Sequence, residues 1–215
     1  MDCKSAGAYA DEASAREHMC SIGKALLAQG LVAGAAGNMS CLLPDGTFLV
    51  TPTGSSLGSL DATNLSKVSA DNELLSGAKP TKESRFHIAV MQNNPEIKAI
   101  IHLHSTYATA YACLDGLDPH DAIKPITPYV VMRLGKVQVT PYRKPGSPLI
   151  AEDLAKVAAG NKAFLLSNHG MVVGGKTLED ALNNAQELEE TCKLYFITRG
   201  APVRHLTAEE IAELL

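Results

Sequence analysis

Lys98-Ala-Ile-Ile-His-Leu-His-Ser105 is an apolar run that ends on two histidines separated by a single leucine. Its apolar part, residues 99–101, reads as a buried strand. Residues two apart on a strand face the same way, so His102 and His104 can present both imidazoles to one point. A second apolar run, Ala163-Phe-Leu-Leu166, leads into Ser167-Asn-His-Gly170, and its His169 is the natural third nitrogen. A tetrahedral catalytic zinc takes three protein nitrogens and keeps one position open. His-x-His also occurs on ordinary strands. Two strand ends that both carry histidine, where open α/β sheets hold their ligands, favour a metal over packing.

Outward from these strands the elements mix types. Met19, Ile22, Leu26 and Leu27 lie at helical spacing and predict a helix over 11–29, with Gly30 as its stop. Residues 39–43 and 47–51 flank Asp45-Gly46 as a hairpin, and a second hairpin centres on Asp71-Asn72. Phe86, Ala89 and Val90 mark a helix over 82–93, followed by the strand 98–104 and a short helix 105–114. Residues 130–140 read as strand-like, with a turn at Gly135. A helix over 150–159 precedes the strands 162–167 and 171–174. A long helix over 178–198 carries Leu178, Ala181, Leu182, Ala185, Leu188, Cys192 and Tyr195 on one face. Thr207-Ala-Glu-Glu210 is a capping box that opens a last helix. With no repeat, low-complexity stretch or linker, the expectation is a single α/β or α+β domain over 1–215.

Composition narrows the function classes. The chain has 215 residues, 46% hydrophobic and 20% charged, and a net charge of −4, enough to bury one sizeable core. A pI near 6.0 and the lack of a long basic run argue against nucleic acid as a partner. Residues 1–20 are polar and mixed in charge, and no apolar stretch approaches the roughly 20 residues of a membrane span. The expectation is a soluble, cytoplasmic protein with no membrane partner. Cys3, Cys20, Cys41, Cys113 and Cys192 are odd in number and show no Cys-x-x-Cys spacing, so they read as reduced, mostly core thiols.

Two further clusters bear on chemistry. Gly34-Ala-Ala-Gly-Asn-Met-Ser40, Thr51-Pro-Thr-Gly54 and Lys79-Pro-Thr-Lys-Glu83 combine glycines with Asn, Thr and Lys. Backbone N–H groups, hydroxyls and a cation of this kind can converge on a phosphate. Singly, each fragment is ordinary turn material, and Thr81 can be simply the N-cap of a helix starting at Lys82. Glu83 stands in the first turn of that helix, where most glutamates only complement the dipole. A catalytic role for it requires proximity to the metal.

Taken in order, Gly37-Asn38-Met-Ser40, Thr51-Pro-Thr-Gly54, Pro80-Thr-Lys-Glu83, His102-Leu-His104, Pro128-Tyr129 and Asn168-His-Gly170 resemble the class II aldolase/adducin family. The resemblance spans nearly the whole chain. It implies a three-layer α/β/α fold around a mainly antiparallel sheet. It also implies one Zn2+ per subunit, or another divalent ion such as Mn2+ or Co2+, on His102, His104 and His169. Glu83 would be the acid/base and a further metal ligand when substrate is absent. Phosphate would be held around Gly37, Asn38, Thr53, Gly54 and Thr81. Homotetramers with interfacial active sites are common in the family, and Tyr129 matches a tyrosine that reaches a neighbouring subunit's site.

The neighbours of Glu83 choose among the family's reactions. Its sugar-phosphate aldolases typically carry Ser-Ser-Glu where this chain has Thr81-Lys82-Glu83, so Lys82 adds a cation beside the acid. Together with Leu49-Val-Thr-Pro-Thr-Gly-Ser-Ser-Leu-Gly58 and Ile126-Thr-Pro-Tyr-Val-Val-Met-Arg133, this looks like the branch that decarboxylates 3-oxo-tetronate 4-phosphates. That implies a phosphorylated four-carbon sugar acid as substrate. Its decarboxylation would pass through an enediolate, whose oxyanion a metal stabilises, to dihydroxyacetone phosphate and carbon dioxide. Lys82 would contact the carboxylate or the phosphate. Fuculose-1-phosphate-type aldolase chemistry is the alternative lyase reading. An adducin-like scaffold is the alternative outside enzymes, and such a scaffold has no physical need for three histidines and Glu83.

Overall fold

A computed structural model describes residues 9–215. The apolar runs at residues 99–103 and 163–166 lie in one eight-stranded sheet, separated by the single strand at residues 170–175. After helix α1 (Glu12–Ala28), strands β1 (Asn38–Leu42), β2 (Phe48–Val50), β3 (Ser66–Val68) and β4 (Leu74–Ser76) form the two hairpins read from the turns. Helix α2 (Ser84–Asn93), strand β5 (Ala99–Leu103) and helices α3 (Thr106–Ala112) and α4 (Pro128–Leu134) follow. Next come β6 (Val137–Thr140), α5 (Leu149–Val157), β7 (Ala163–Leu166), β8 (Gly170–Gly175), α6 (Leu178–Thr198) and α7 (Ala208–Ala212). The strand order is β4-β3-β2-β1-β5-β8-β7-β6. Among the described residues only the β6–β7 pair is parallel, so this is the mainly antiparallel sheet of a three-layer α/β/α fold.

Period-two alternation assigns each strand residue to a layer. Ala99, Ile101 and Leu103 of β5 pack with α1, α3, α4 and α6 in one core. Ile100 joins Phe86, Ile88, Val90, Ile150 and Leu154 of α2 and α5 in the other. His102, two residues on from Ile100, therefore faces α2, and its ring meets Phe86 edge to face with centroids 5.4 Å apart. Burial on both faces removes all of β5 from water.

The structure corrects several local expectations. Residues 130–134 belong to helix α4, and the strand begins only at Val137. Extended Thr127 and Pro128 in the first turn start that helix, and Gly135 at φ 67° ends it. Val130, Val131 and Leu134 are buried where α4 packs on α6; that packing overrides the strand preference of the Val-Val pair. Helix α2 starts at Ser84 with Glu83, not Thr81, at the N-cap. Leu27 and Tyr195 lie off their buried stripes, at 46% and 39% exposure. Cys20, Cys41, Cys113 and Cys192 are free thiols, with Cys113 exposed rather than in the core, and Cys3 lies outside the described residues. No helix among the described residues is long and apolar enough to cross a membrane.

Candidate metal centre and acid/base site

Three separate backbone devices bring the histidines together. His102 is the fourth residue of β5, and His104 follows the strand end directly. His169 lies in the tight turn between β7 and β8, where Asn168 takes a left-handed φ of 55°, a conformation asparagine tolerates better than most residues. That turn is pinned by Asn168 N–H donating to Ala112 O (3.0 Å) and Ser167 Oγ donating to Thr140 O (2.7 Å). Gly170 lets it pack down on β5, since a Cβ there would collide with the Leu103 carbonyl.

The side-chain nitrogens then converge. Ligand atoms of His102, His104 and His169 all lie within 4.8 Å of one another. His102 Nδ1 is 2.8 Å from the Met171 carbonyl oxygen. A carbonyl only accepts, so Nδ1 carries the hydrogen and Nε2 keeps its lone pair for the centre. His102 Nε2 and His104 Nε2 stand 3.0 Å apart, near the roughly 3.3 Å edge of a tetrahedron built on zinc–nitrogen bonds of about 2.0–2.1 Å. Burial pushes His102 down to about 4 and also lowers His169, which favours the neutral, ligating form. The donor set fits a divalent ion: imidazole nitrogens with an anionic oxygen at hand.

Glu83 supplies that oxygen. Its Oε2 is 3.4 Å from His102 Nε2 and its Oε1 is 3.6 Å from His169 Nε2. Although it is an N-cap residue, its carboxylate makes no capping hydrogen bond and is turned into the site instead. Asn38 Nδ2 donates to Oε2 over 2.7 Å. Burial raises the carboxyl, but the imidazoles and the Asn38 hydrogen bond outweigh it, leaving Glu83 below the usual glutamate range.

The glycine and threonine segments meet through the backbone. Thr51 N–H donates to Met39 O (3.0 Å), Thr81 N–H to Thr51 O (3.1 Å) and Thr53 N–H to Lys79 O (3.0 Å). Asn38 sits opposite His102 in the β1–β5 register. Gly37, at φ 80°, leaves room for the His102 carbonyl, which a Cβ would approach to 2.9 Å. Thr53 and Gly54 are exposed, Thr81 is buried, and Lys82 is exposed. Lys82 lines a cavity of about 160 Å³ that also borders Glu83, Arg85, Phe86 and Ser147. Tyr129 is 64% exposed on α4 and does not line that cavity.

Two contributors escape the sequence reading. His87 is fully buried, with Nε2 2.6 Å from Asn38 Oδ1 and Nδ1 2.8 Å from Ser40 Oγ. The signal available for it was a histidine one helical turn after Glu83 within an apolar stripe. Glu189 is buried on α6 and accepts from Ser105 Oγ (2.7 Å), Tyr107 N–H (2.9 Å) and Ala108 N–H (2.8 Å). It thereby caps α3 immediately after His104. Nothing local in the sequence marks it.

Residues 17–196 match the family described as Class II Aldolase and Adducin N-terminal domain. A 3-oxo-tetronate 4-phosphate decarboxylase of Escherichia coli K12 is 58% identical over 203 residues, covering 94% of this chain and 96% of that protein. An L-fuculose phosphate aldolase of Escherichia coli O6:H1 is 34% identical over 190 residues, covering 86% of this chain and 85% of the aldolase. The crystal structure of YgbL from Escherichia coli matches with a TM-score of 0.93 at 57% identity, covering 94% of this chain and 98% of that one.

Proposed function

The chain belongs to the class II aldolase and adducin family, and from that premise we propose that it decarboxylates a 3-oxo-tetronate 4-phosphate to dihydroxyacetone phosphate and carbon dioxide. The observation that carries this reading is the convergence of His102, His104 and His169 on one point with the Glu83 carboxylate beside them. Identity of 58% to a protein of that name across nearly the full length supports the choice of reaction.

The three histidines would hold a divalent ion, zinc or alternatively manganese or cobalt, which when bound supplies positive charge for an oxyanion developing at the substrate's ketone. The bond from the carboxylate carbon to C2 breaks, and its electron pair moves toward the C3 ketone. Glu83 then delivers a proton to C2, a general-acid contribution of about 10²- to 10⁴-fold. It needs to be protonated for that step, and a substrate with two anionic ends beside it favours the protonated form. Asn38, bonded to Oε2, leaves Oε1 as the oxygen free to carry that proton.

Lys82, at the cavity beside Glu83, would orient the substrate carboxylate. A loose contact suits decarboxylation, because a strong ion pair would stabilise the ground state and slow carboxylate loss. The phosphate would rest among Gly37, Asn38, Thr53, Gly54 and Thr81. Tyr129 and Met132 stand 64% and 61% exposed on one face of α4, which suits an interface with a neighbouring copy in a homotetramer where Tyr129 completes the adjacent site. Free thiols including exposed Cys113 suit a reducing, cytoplasmic setting.

The test is to incubate metal-loaded protein with 3-oxo-tetronate 4-phosphate and, separately, with fuculose 1-phosphate, assaying carbon dioxide and dihydroxyacetone phosphate. Carbon dioxide and dihydroxyacetone phosphate in equal amounts from the first substrate are expected. Product from the sugar phosphate alone would replace the decarboxylase reading with an aldolase.

A further inference from the structure

The mechanism leaves the fully buried His87 unused, and as a neutral imidazole its hydrogen bonds have only one consistent direction. Glu83, as a carboxylate, can only accept, so the Asn38 atom 2.7 Å from it is the amide nitrogen. The Asn38 atom facing His87 is then the amide oxygen, another pure acceptor, 2.6 Å from Nε2. His87 must donate there, so its hydrogen is on Nε2. In the neutral ring that burial favours, Nδ1 is left as an acceptor, and the Ser40 hydroxyl 2.8 Å away donates to it. Every donor in the relay Ser40, His87, Asn38 points toward Glu83.

From this we infer that His87 is a positioning residue acting through Asn38: as a neutral Nε2–H donor it holds the Asn38 amide in the one orientation that offers Nδ2 to the Glu83 carboxylate. Without a donor at His87, the two ends of the Asn38 amide are alike in size, and only the Glu83 contact itself opposes a flip that sets oxygen against oxygen. The surroundings suit a neutral imidazole. Ser40 and His87 are both 0% exposed, and the His87 ring stacks on Phe86 with centroids 4.7 Å apart. Burial holds His87 well below the ordinary histidine range. The fold explains the reach: Glu83 and His87 are one helical turn apart, while Asn38 and Ser40 are two apart on β1 and so share the face toward α2.

This inference rests on Glu83 being the acid/base of the proposed reaction, and its tests separate the two. In the metal-loaded protein, imidazole ¹⁵N shifts, assigned by the signal lost in His87→Gln, should show His87 as the neutral Nε2–H tautomer. The Nδ1–H tautomer or an imidazolium would overturn the inference whatever the enzyme turns over. In kinetics, His87→Phe should lower kcat about 10- to 100-fold, with KM and metal per chain little changed. His87→Gln, which can still donate to Asn38 and accept from Ser40, should recover most of the loss. In an Asn38→Ala background, His87→Phe should cost less than about 2-fold, because its route to Glu83 is already gone. An equal loss in both backgrounds would overturn the inference. If His87→Phe does not fold, Ser40→Ala serves in the same cycle: a kcat loss confined to the Asn38 background supports the relay, and no loss overturns it. Failure of the wild type to release carbon dioxide would sink the proposed function and leave the tautomer result standing.

Discussion

Two groups of histidines flank Glu83, and they differ in what their second nitrogen does. His102, His104 and His169 turn ring nitrogens to a common point, and in His102 the far nitrogen is occupied by the Met171 carbonyl so that the near one is free. His87, on the opposite side of the Asn38–Glu83 contact, has both nitrogens consumed by protein partners at 2.6 and 2.8 Å. The first kind of histidine has a lone pair to offer a cation. The second is saturated and can only hold its neighbours in place. Burial alone does not separate them, since His87 and His102 are each 0% exposed; hydrogen-bond saturation does.

The largest effect should follow from emptying the unsaturated side. His104→Ala should abolish stoichiometric divalent metal, read by elemental analysis, and with it activity. Full metal content in that variant would remove His104 from the ligand set. Glu83→Gln, between the two groups, should lower turnover about 10²- to 10⁴-fold while most of the metal stays bound. Full turnover in it would contradict the acid/base role.

The third prediction concerns pH and requires both buried histidines. In metal-free protein His87 and His102 stay neutral when folded, whereas the histidines of an unfolded chain protonate near 6.5. Below that value the unfolded state binds more protons, so stability should fall as pH drops, continuing for His102 to about 4. Thermal melts in chelator between pH 7.5 and 5 would check this, and an unchanged Tm would contradict the neutral assignment. Excess zinc should raise Tm and make its fall with pH steeper, because it also keeps the ligating imidazoles unprotonated in the folded chain, while the His87 contribution is unchanged. The smallest effect is expected at the periphery: Lys82→Ser should slow the doubly anionic substrate by up to about 5-fold, as suits an exposed charge contact. Its effect on fuculose 1-phosphate should be smaller, and equal losses would remove Lys82 from carboxylate recognition.

Much of the fold was legible because its cues are local. Asp45-Gly46 and Asp71-Asn72 do sit at hairpin turns, the 178–198 helix has the bounds its periodicity predicts, and Thr207 with Glu210 forms the capping box. The strand expected near 130 became α4 because Pro128, Gly135 and packing on α6 outweigh the β-branched Val-Val pair. His102 and His104 were legible as a pair because strand periodicity alone sets their common face. His87 was not, since a lone histidine in a helical stripe looks the same whether it ligates, titrates or braces a neighbour.

The residue pattern alone thus sufficed for most of the strands, the His-x-His geometry and the candidate ligand types, all of which depend on neighbours a few positions apart. Tertiary structure decided which groups meet. Glu83 reaches Asn38 across 45 positions of sequence, and His87 reaches Ser40 across 47. Such contacts depend on how β1 and β5 pair and on which face of the sheet receives α2, and neither is encoded by the local spacing of the residues that touch.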